Sequence, residues 1–168
     1  MLLDSPHQLP GSIKNYQPRL LGKLGLDDQP VSDATGITAD AGYRSRQSYR
    51  TGPARPYSPT LALRLGQANL TGGQWVRGSV WVYSEYGAWG QKLVVSVERA
   101  GKTVQWENVR LQNALSVAQR WTPVWLDVPL PADARPDDVL KVFVLNENGS
   151  PCYLDDVQAE ALEPKIGW

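Results

Sequence analysis

The sequence predicts an all-β domain, a sandwich or a barrel. Three observations carry that reading. Runs of β-branched and aromatic residues alternate with polar ones at a period of two. Gly- and Pro-bearing turns separate the runs. No long stretch keeps a helical period. At 168 residues the chain has the length of one domain with a proper core.

Residues 1–23 contain Pro6, Pro10, Gly11 and Pro18, and read as an irregular N-terminal arm or linker. Such an arm, when ordered, is expected to pack on the domain or on a neighbour. Residues 24–162 read as the sandwich and 163–168 as a tail. Leu61, Leu63 and Leu65 alternate with polar or small residues. Trp75–Tyr83 follows the Gly72-Gly73 turn. Leu93, Val95 and Val97 mark the next strand, and Arg99–Lys102 turns tightly into 103–109. The stretch Ala114–Arg120 has room for one helical turn. Trp121–Val128 runs into a Pro129-Leu130-Pro131 corner. Val139–Leu145 and Cys152–Val157 flank Asn148-Gly149, a strong local signal for a closing β-hairpin.

Charge and composition exclude several functions. Lys plus Arg and Asp plus Glu both total 17. That balance argues against nucleic acid as a partner, which concentrated Lys and Arg would favour, and against a polybasic membrane surface role. No run approaches the roughly 18 to 20 apolar residues that cross a bilayer, so membrane insertion is not expected. The one cysteine, Cys152, has no internal disulfide partner. The N-terminus lacks the basic and apolar regions of a signal peptide. An intracellular protein or a mature or excised piece of a longer secreted precursor both fit.

Two strands carry the functional information. In Trp75–Tyr83 the face Val76, Gly78, Val80, Val82 is expected in the core. Trp75, Arg77, Ser79, Trp81 and Tyr83 then face away. In Trp121–Val128 the core face is Thr122, Val124, Leu126, Val128, and Trp121, Pro123, Trp125 and Asp127 lie opposite. Seven Trp and seven Tyr against one Phe is a set suited to half-wet binding faces, because Trp and Tyr keep a polar handle. Tyr86–Trp89 adds two aromatics in a loop. Tyr43, Tyr49 and Tyr57, with Arg44, Arg46, Arg50 and Arg55, form a Tyr- and Arg-rich stretch that fits acidic sugars, an acidic partner or simply a solvated loop.

Taken together, four stretches resemble the jelly-roll carbohydrate-binding modules of the galactose-binding-like superfamily, in particular accessory domains of bacterial surface proteins and glycoside hydrolases. They are Asp40–Tyr49, Gly73–Val82, Arg120–Trp125 and the closing Tyr153-Leu-Asp-Asp-Val157. The resemblance spans roughly residues 24 to 162. It implies a jelly-roll β-sandwich of two antiparallel sheets that binds glycan without catalysis, at or outside the cell surface. The resemblance also implies a structural Ca²⁺ at Asp155, with Asp28 or Asp27 as further ligands. Calcium takes about six to eight oxygen ligands, so two carboxylates alone do not make a site. A carboxylate capping loop N–H groups is the plainer role for Asp155.

The expected glycan-binding residues are Arg77, Trp81, Tyr83 and Trp125 on the sheet face, and Trp89 in its loop. Aromatic rings stack on the C–H faces of sugars, while Arg and carboxylates bond hydroxyls. The same residues suit a structural or protein-interaction subunit whose aromatic face is covered by a partner or by its own arm. Catalysis has little support. His7 is the one histidine, which leaves no His-based metal cluster and no Ser-His-Asp set. Asp155 and Asp156 are strand neighbours pointing to opposite faces, so they cannot act as a paired acid and base.

Overall fold

The structure is a computed structural model that describes residues 7–25, 37–38, 47–52, 55–85, 87–114, 119–147 and 149–165. Ten strands form two antiparallel sheets: β1 (Tyr16–Leu24), β2 (Ile37–Thr38), β3 (Ser48–Arg50), β4 (Leu61–Arg64), β5 (Trp75–Tyr83), β6 (Gln91–Arg99), β7 (Lys102–Arg110), β8 (Thr122–Pro129), β9 (Val139–Asn146) and β10 (Tyr153–Pro164). The first sheet has the order β2-β3-β10-β5-β8, with β1 also paired to β10; the second is β4-β9-β6-β7. This is the expected jelly-roll β-sandwich. One helical turn, α1 (Leu111–Ala114), follows β7; it lies just ahead of the stretch the sequence suggested.

The core sits between the sheets and follows the alternation in sequence. Val76, Val80 and Val82 of β5, with Val124, Leu126 and Val128 of β8, face Leu93, Val95 and Val97 of β6 and Leu140, Val142 and Val144 of β9. All are buried. Gly78 occupies the inward row of β5 because the sheets approach closely there. A Cβ at that position would come within 2.6 Å of Val95 Cγ2 and 3.1 Å of Val142 Cγ1. The β6–β7 hairpin closes through Ala100 and Gly101 (φ 51° and 78°), the left-handed pair that a two-residue turn needs to match strand twist.

Two expectations change. The N-terminal stretch is not all arm, since Tyr16–Leu24 is a strand paired along β10. Pro18 is tolerated because that strand has a partner on one side only. The part ahead of it does pack on the domain. Tyr16 Oη donates to Pro10 O at 2.8 Å, and His7 Nε2 lies 3.0 Å from Glu107 Oε1 and edge-on to Trp75.

The closing hairpin does not form. β9 pairs with β4 and β6, whereas β10 pairs with β1, β3 and β5, so the connection crosses from one sheet to the other. Pairing along the length of β6 and β5 outweighs one local turn preference. Gly149 serves a different purpose: its N–H donates to Asn146 Oδ1 at 2.6 Å, and a side chain there would overlap the Trp89 carbonyl.

Candidate functional site

Both sheets turn an aromatic face outward. On the first sheet, β5 alternates half-buried and buried residues without a break, and β8 presents Pro123 and Trp125 to solvent. Register sets Arg77 opposite Asp127, Ser79 opposite Trp125 and Trp81 opposite Pro123. The structure therefore brings Arg77, Trp81, Tyr83 and Trp125 onto one face, as expected. It also shows how Arg77 is committed. Its Nε and Nη2 donate to the two oxygens of Asp127 at 2.6 and 2.9 Å, and its guanidinium lies 5.4 Å from the Trp125 ring centre. Such a two-pronged pair is geometrically specific and stiff. Trp125 is 36% exposed. Tyr83 packs against Trp121 and Tyr153, with ring centres 5.7 and 6.2 Å away. Trp89 stands apart in its loop at 64% exposure.

On the second sheet three aromatics fall in a diagonal line that the sequence reading did not assemble. Tyr57 pairs with Leu145, Phe143 sits on β9 opposite Val94, and Trp106 sits on β7 opposite Ser96. The ring centres of Tyr57 and Phe143 are 6.0 Å apart, and those of Phe143 and Trp106 are 5.7 Å apart. Phe143 is 6% exposed, but it belongs outside the inter-sheet core. Tyr57 and Trp106 flank it at 59% and 44% exposure. Beside Trp106, Lys141 Nζ pairs with Glu98 Oε2 at 2.9 Å.

The segment carrying Tyr57 is held as firmly as a strand. Asn146 N–H donates to Pro56 O at 2.6 Å and Ser58 N–H to Val144 O at 2.9 Å. Val144 N–H donates to Ser58 Oγ at 2.8 Å. The Tyr49 phenol donates to Tyr57 O at 2.9 Å, and burial raises its pKa despite the opposing charge of Arg55. Tyr43, Arg44 and Arg46 lie outside the described residues, while around Tyr57 the Tyr- and Arg-rich stretch is thus a fixed ledge. Its signal in sequence was weak, because Phe143 lies in a run apolar on both faces. Trp106 was the better clue, as the one large aromatic in a mostly polar strand.

Asp155 is buried beside Trp81 in register. Its Oδ1 accepts from the N–H of Asp156 at 2.9 Å, where Asp156 makes a bulge with φ 53°. Asp27 and Asp28 lie outside the described residues. Among the described residues, no group of three His, Cys, Asp or Glu side chains gathers as a metal site. The Asp156 carboxylate instead faces Lys23 Nζ at 3.4 Å. Among the described residues no helix is long and apolar enough to cross a membrane.

A polar cluster supports the sheet crossing. Thr51 Oγ1 donates to Gln91 Oε1 at 2.7 Å, and Gln91 Nε2 donates to Ser150 O at 2.5 Å and to Cys152 Sγ at 2.8 Å. Burial pushes the Cys152 thiol up to about 11, against the hydrogen bonds made to its sulfur. At neutral pH it is a protonated, unreactive packing group.

No protein-family model matches the chain, and no curated protein matches it. Solved structures do. The CBM22-1 xylan-binding domain of Paenibacillus barcinonensis Xyn10C superposes over 88% of this chain and 97% of its own, at 18% identity and TM-score 0.54. The CBM22-2 xylan-binding domain of the same protein covers 84% and 99%, at 18% identity and TM-score 0.52. The tandem of both domains gives TM-score 0.56 at 19% identity, over 86% of this chain and 49% of that one. The fold is therefore the jelly-roll β-sandwich found in carbohydrate-binding modules.

Proposed function

We propose that this chain is a non-catalytic carbohydrate-binding module that takes a polysaccharide across the outer face of its second sheet. The carrying observation is the line Tyr57, Phe143, Trp106: two exposed rings fixed on either side of a buried one, Phe143 and Trp106 on strands and Tyr57 on the ledge bonded to β9. Exposed aromatic patches of this kind mark interaction surfaces. Sugar C–H faces stack on Tyr57 and Trp106, while the Lys141–Glu98 pair offers a donor and an acceptor to hydroxyls. The rings are held before ligand arrives, so little ordering entropy is lost on binding. The fold shared with xylan-binding domains supports a xylan-type backbone as the first glycan to try.

A second reading places glycan on the first sheet, at Arg77, Trp81, Tyr83 and Trp125, with Trp89 contributing from its loop. The exposure of Trp125 beneath Arg77 favours it. A protein partner on the same face is the alternative. Partial cover by the chain's own arm, where His7 meets Trp75, supports that option at one end of the sheet. In either case the module fits an extracellular or surface-attached accessory role within a longer protein. Sugar binding requires no metal in this reading. A structural Ca²⁺ shared by Asp155 and Asp28 would show as a fall in Tm on adding EDTA.

Calorimetric titration against xylan, cellulose, mannan and host glycans tests the proposal. Saturable binding to at least one polysaccharide is the expected result. Absence of binding across the panel would overturn it.

A further inference from the structure

At one end of the second-sheet face lies an open cleft of about 230 Å³, lined by Gly90, Gln91, Lys92, Arg110, Gln112 and Glu147. Its charges are unbalanced. Lys92 and Arg110 sit directly opposite each other on β6 and β7, an arrangement that costs stability because like charges face across a sheet. Glu147 Oε2 answers Lys92 Nζ at 3.2 Å. Arg110 is exposed and pairs with none of the described carboxylates. The cleft therefore keeps one positive charge in excess, with guanidinium donors unspent.

The position of that charge is informative. Lys92 is in register with both Arg110 and Leu145, and Leu145 with Tyr57, so the cleft and Tyr57 share one cross-strand row. Arg110 and Trp106 lie on the same face of β7, four residues apart, about 13 Å along the strand. A glycan lying over Trp106 and Tyr57 would pass beside the cleft. Guanidinium groups bind carboxylates through two parallel hydrogen bonds, a geometry that a neutral hydroxyl does not match.

We infer that this cleft is a subsite for a carboxylate-bearing sugar, so that the preferred ligand is a glycan carrying uronic acid residues. The inference rests on the proposed glycan-binding role and adds the substrate class to it.

The test titrates the intact chain with a glucuronate-branched xylooligosaccharide. The comparison ligand is the same oligosaccharide after its carboxyl group has been reduced to a primary alcohol. The acid form should bind about five-fold tighter at low salt, the scale of one solvent-exposed ion pair, and the preference should fade at high salt. Arg110→Gln should abolish the preference, and Arg110→Lys should retain part of it. Equal affinity for the two forms, or a preference untouched by R110Q, would overturn the acidic subsite while leaving the carbohydrate-binding role standing. Binding of neither form would overturn the acidic subsite, and absence of binding across the polysaccharide panel as well would overturn both.

Discussion

Phe143 and Trp106 meet edge to face across the second sheet, their ring centres 5.7 Å apart and their planes at 69°. Edge-to-face pairs of this kind are favoured by the ring quadrupole. Phe143 is the buttress and Trp106 the presented surface, so the two positions should respond differently to truncation.

Phe143→Ala removes a buried ring that supports Tyr57 on one side and Trp106 on the other. Chemical denaturation should show a loss of about 3 kcal/mol, the usual scale for Phe truncation in packed surroundings. Glycan affinity should fall as well, because both exposed rings lose their support. A fully stable F143A variant would contradict the packing described.

Gly149→Ala should be severe although the residue lies in a connection. The added methyl group collides with the Trp89 carbonyl, and backbone there is tied to Asn146. A loss above about 2 kcal/mol in thermal or denaturant unfolding is expected, since only a backbone shift relieves the clash.

Cys152 makes stability depend on alkaline pH. Its thiol titrates at about 11 in the folded chain, above an ordinary value of 9.0. Between those values the unfolded chain gives up the proton and the folded one keeps it. The contribution is present in full below pH 9 and is lost as pH rises through about 11. The size is on the order of 2 kcal/mol. Unfolding curves on Cys152→Ala should lack this alkaline component, and the native thiol should resist maleimide labelling until the chain unfolds.

Asp138 works at the acid end. Its carboxylate accepts from Arg99 Nε and Nη2 at 3.0 and 2.9 Å and from Arg135 N–H at 2.9 Å. The hydrogen bonds from Arg99 hold its pKa below the ordinary carboxylate value, despite opposing desolvation. The stability it contributes is present above that ordinary value and is lost as pH falls through the lowered folded pKa. Asp138→Asn should flatten the acid limb of a Tm-against-pH curve; an unchanged limb would count against this role.

The fold was legible wherever one strand face was wholly apolar and the other was not. β5 and β8 show it best, since each inward Val or Leu alternates with a polar or aromatic residue, and burial follows that alternation. Asn148-Gly149 misled because turn chemistry is local, whereas the choice of sheet for β9 and β10 is made by distant partners. The strand from Tyr16 was hidden by Pro18, an edge-strand proline that reads as linker. The second-sheet line was hidden for a related reason. Tyr57, Trp106 and Phe143 come from three separate stretches, and only cross-strand register makes them neighbours. Arg77 was placed on the right face, but its bond to Asp127 depends on pairing that a single strand does not reveal.

The most direct measurement compares Trp106→Ala with Trp125→Ala in calorimetric titration against the polysaccharide that the wild type binds. Both residues lie on outer faces, so both variants should fold. The account predicts that W106A weakens binding at least about ten-fold, the scale of one lost aromatic stacking anchor, while W125A binds as the wild type does. Unchanged affinity in W106A with loss in W125A would contradict it and move the site to the first sheet.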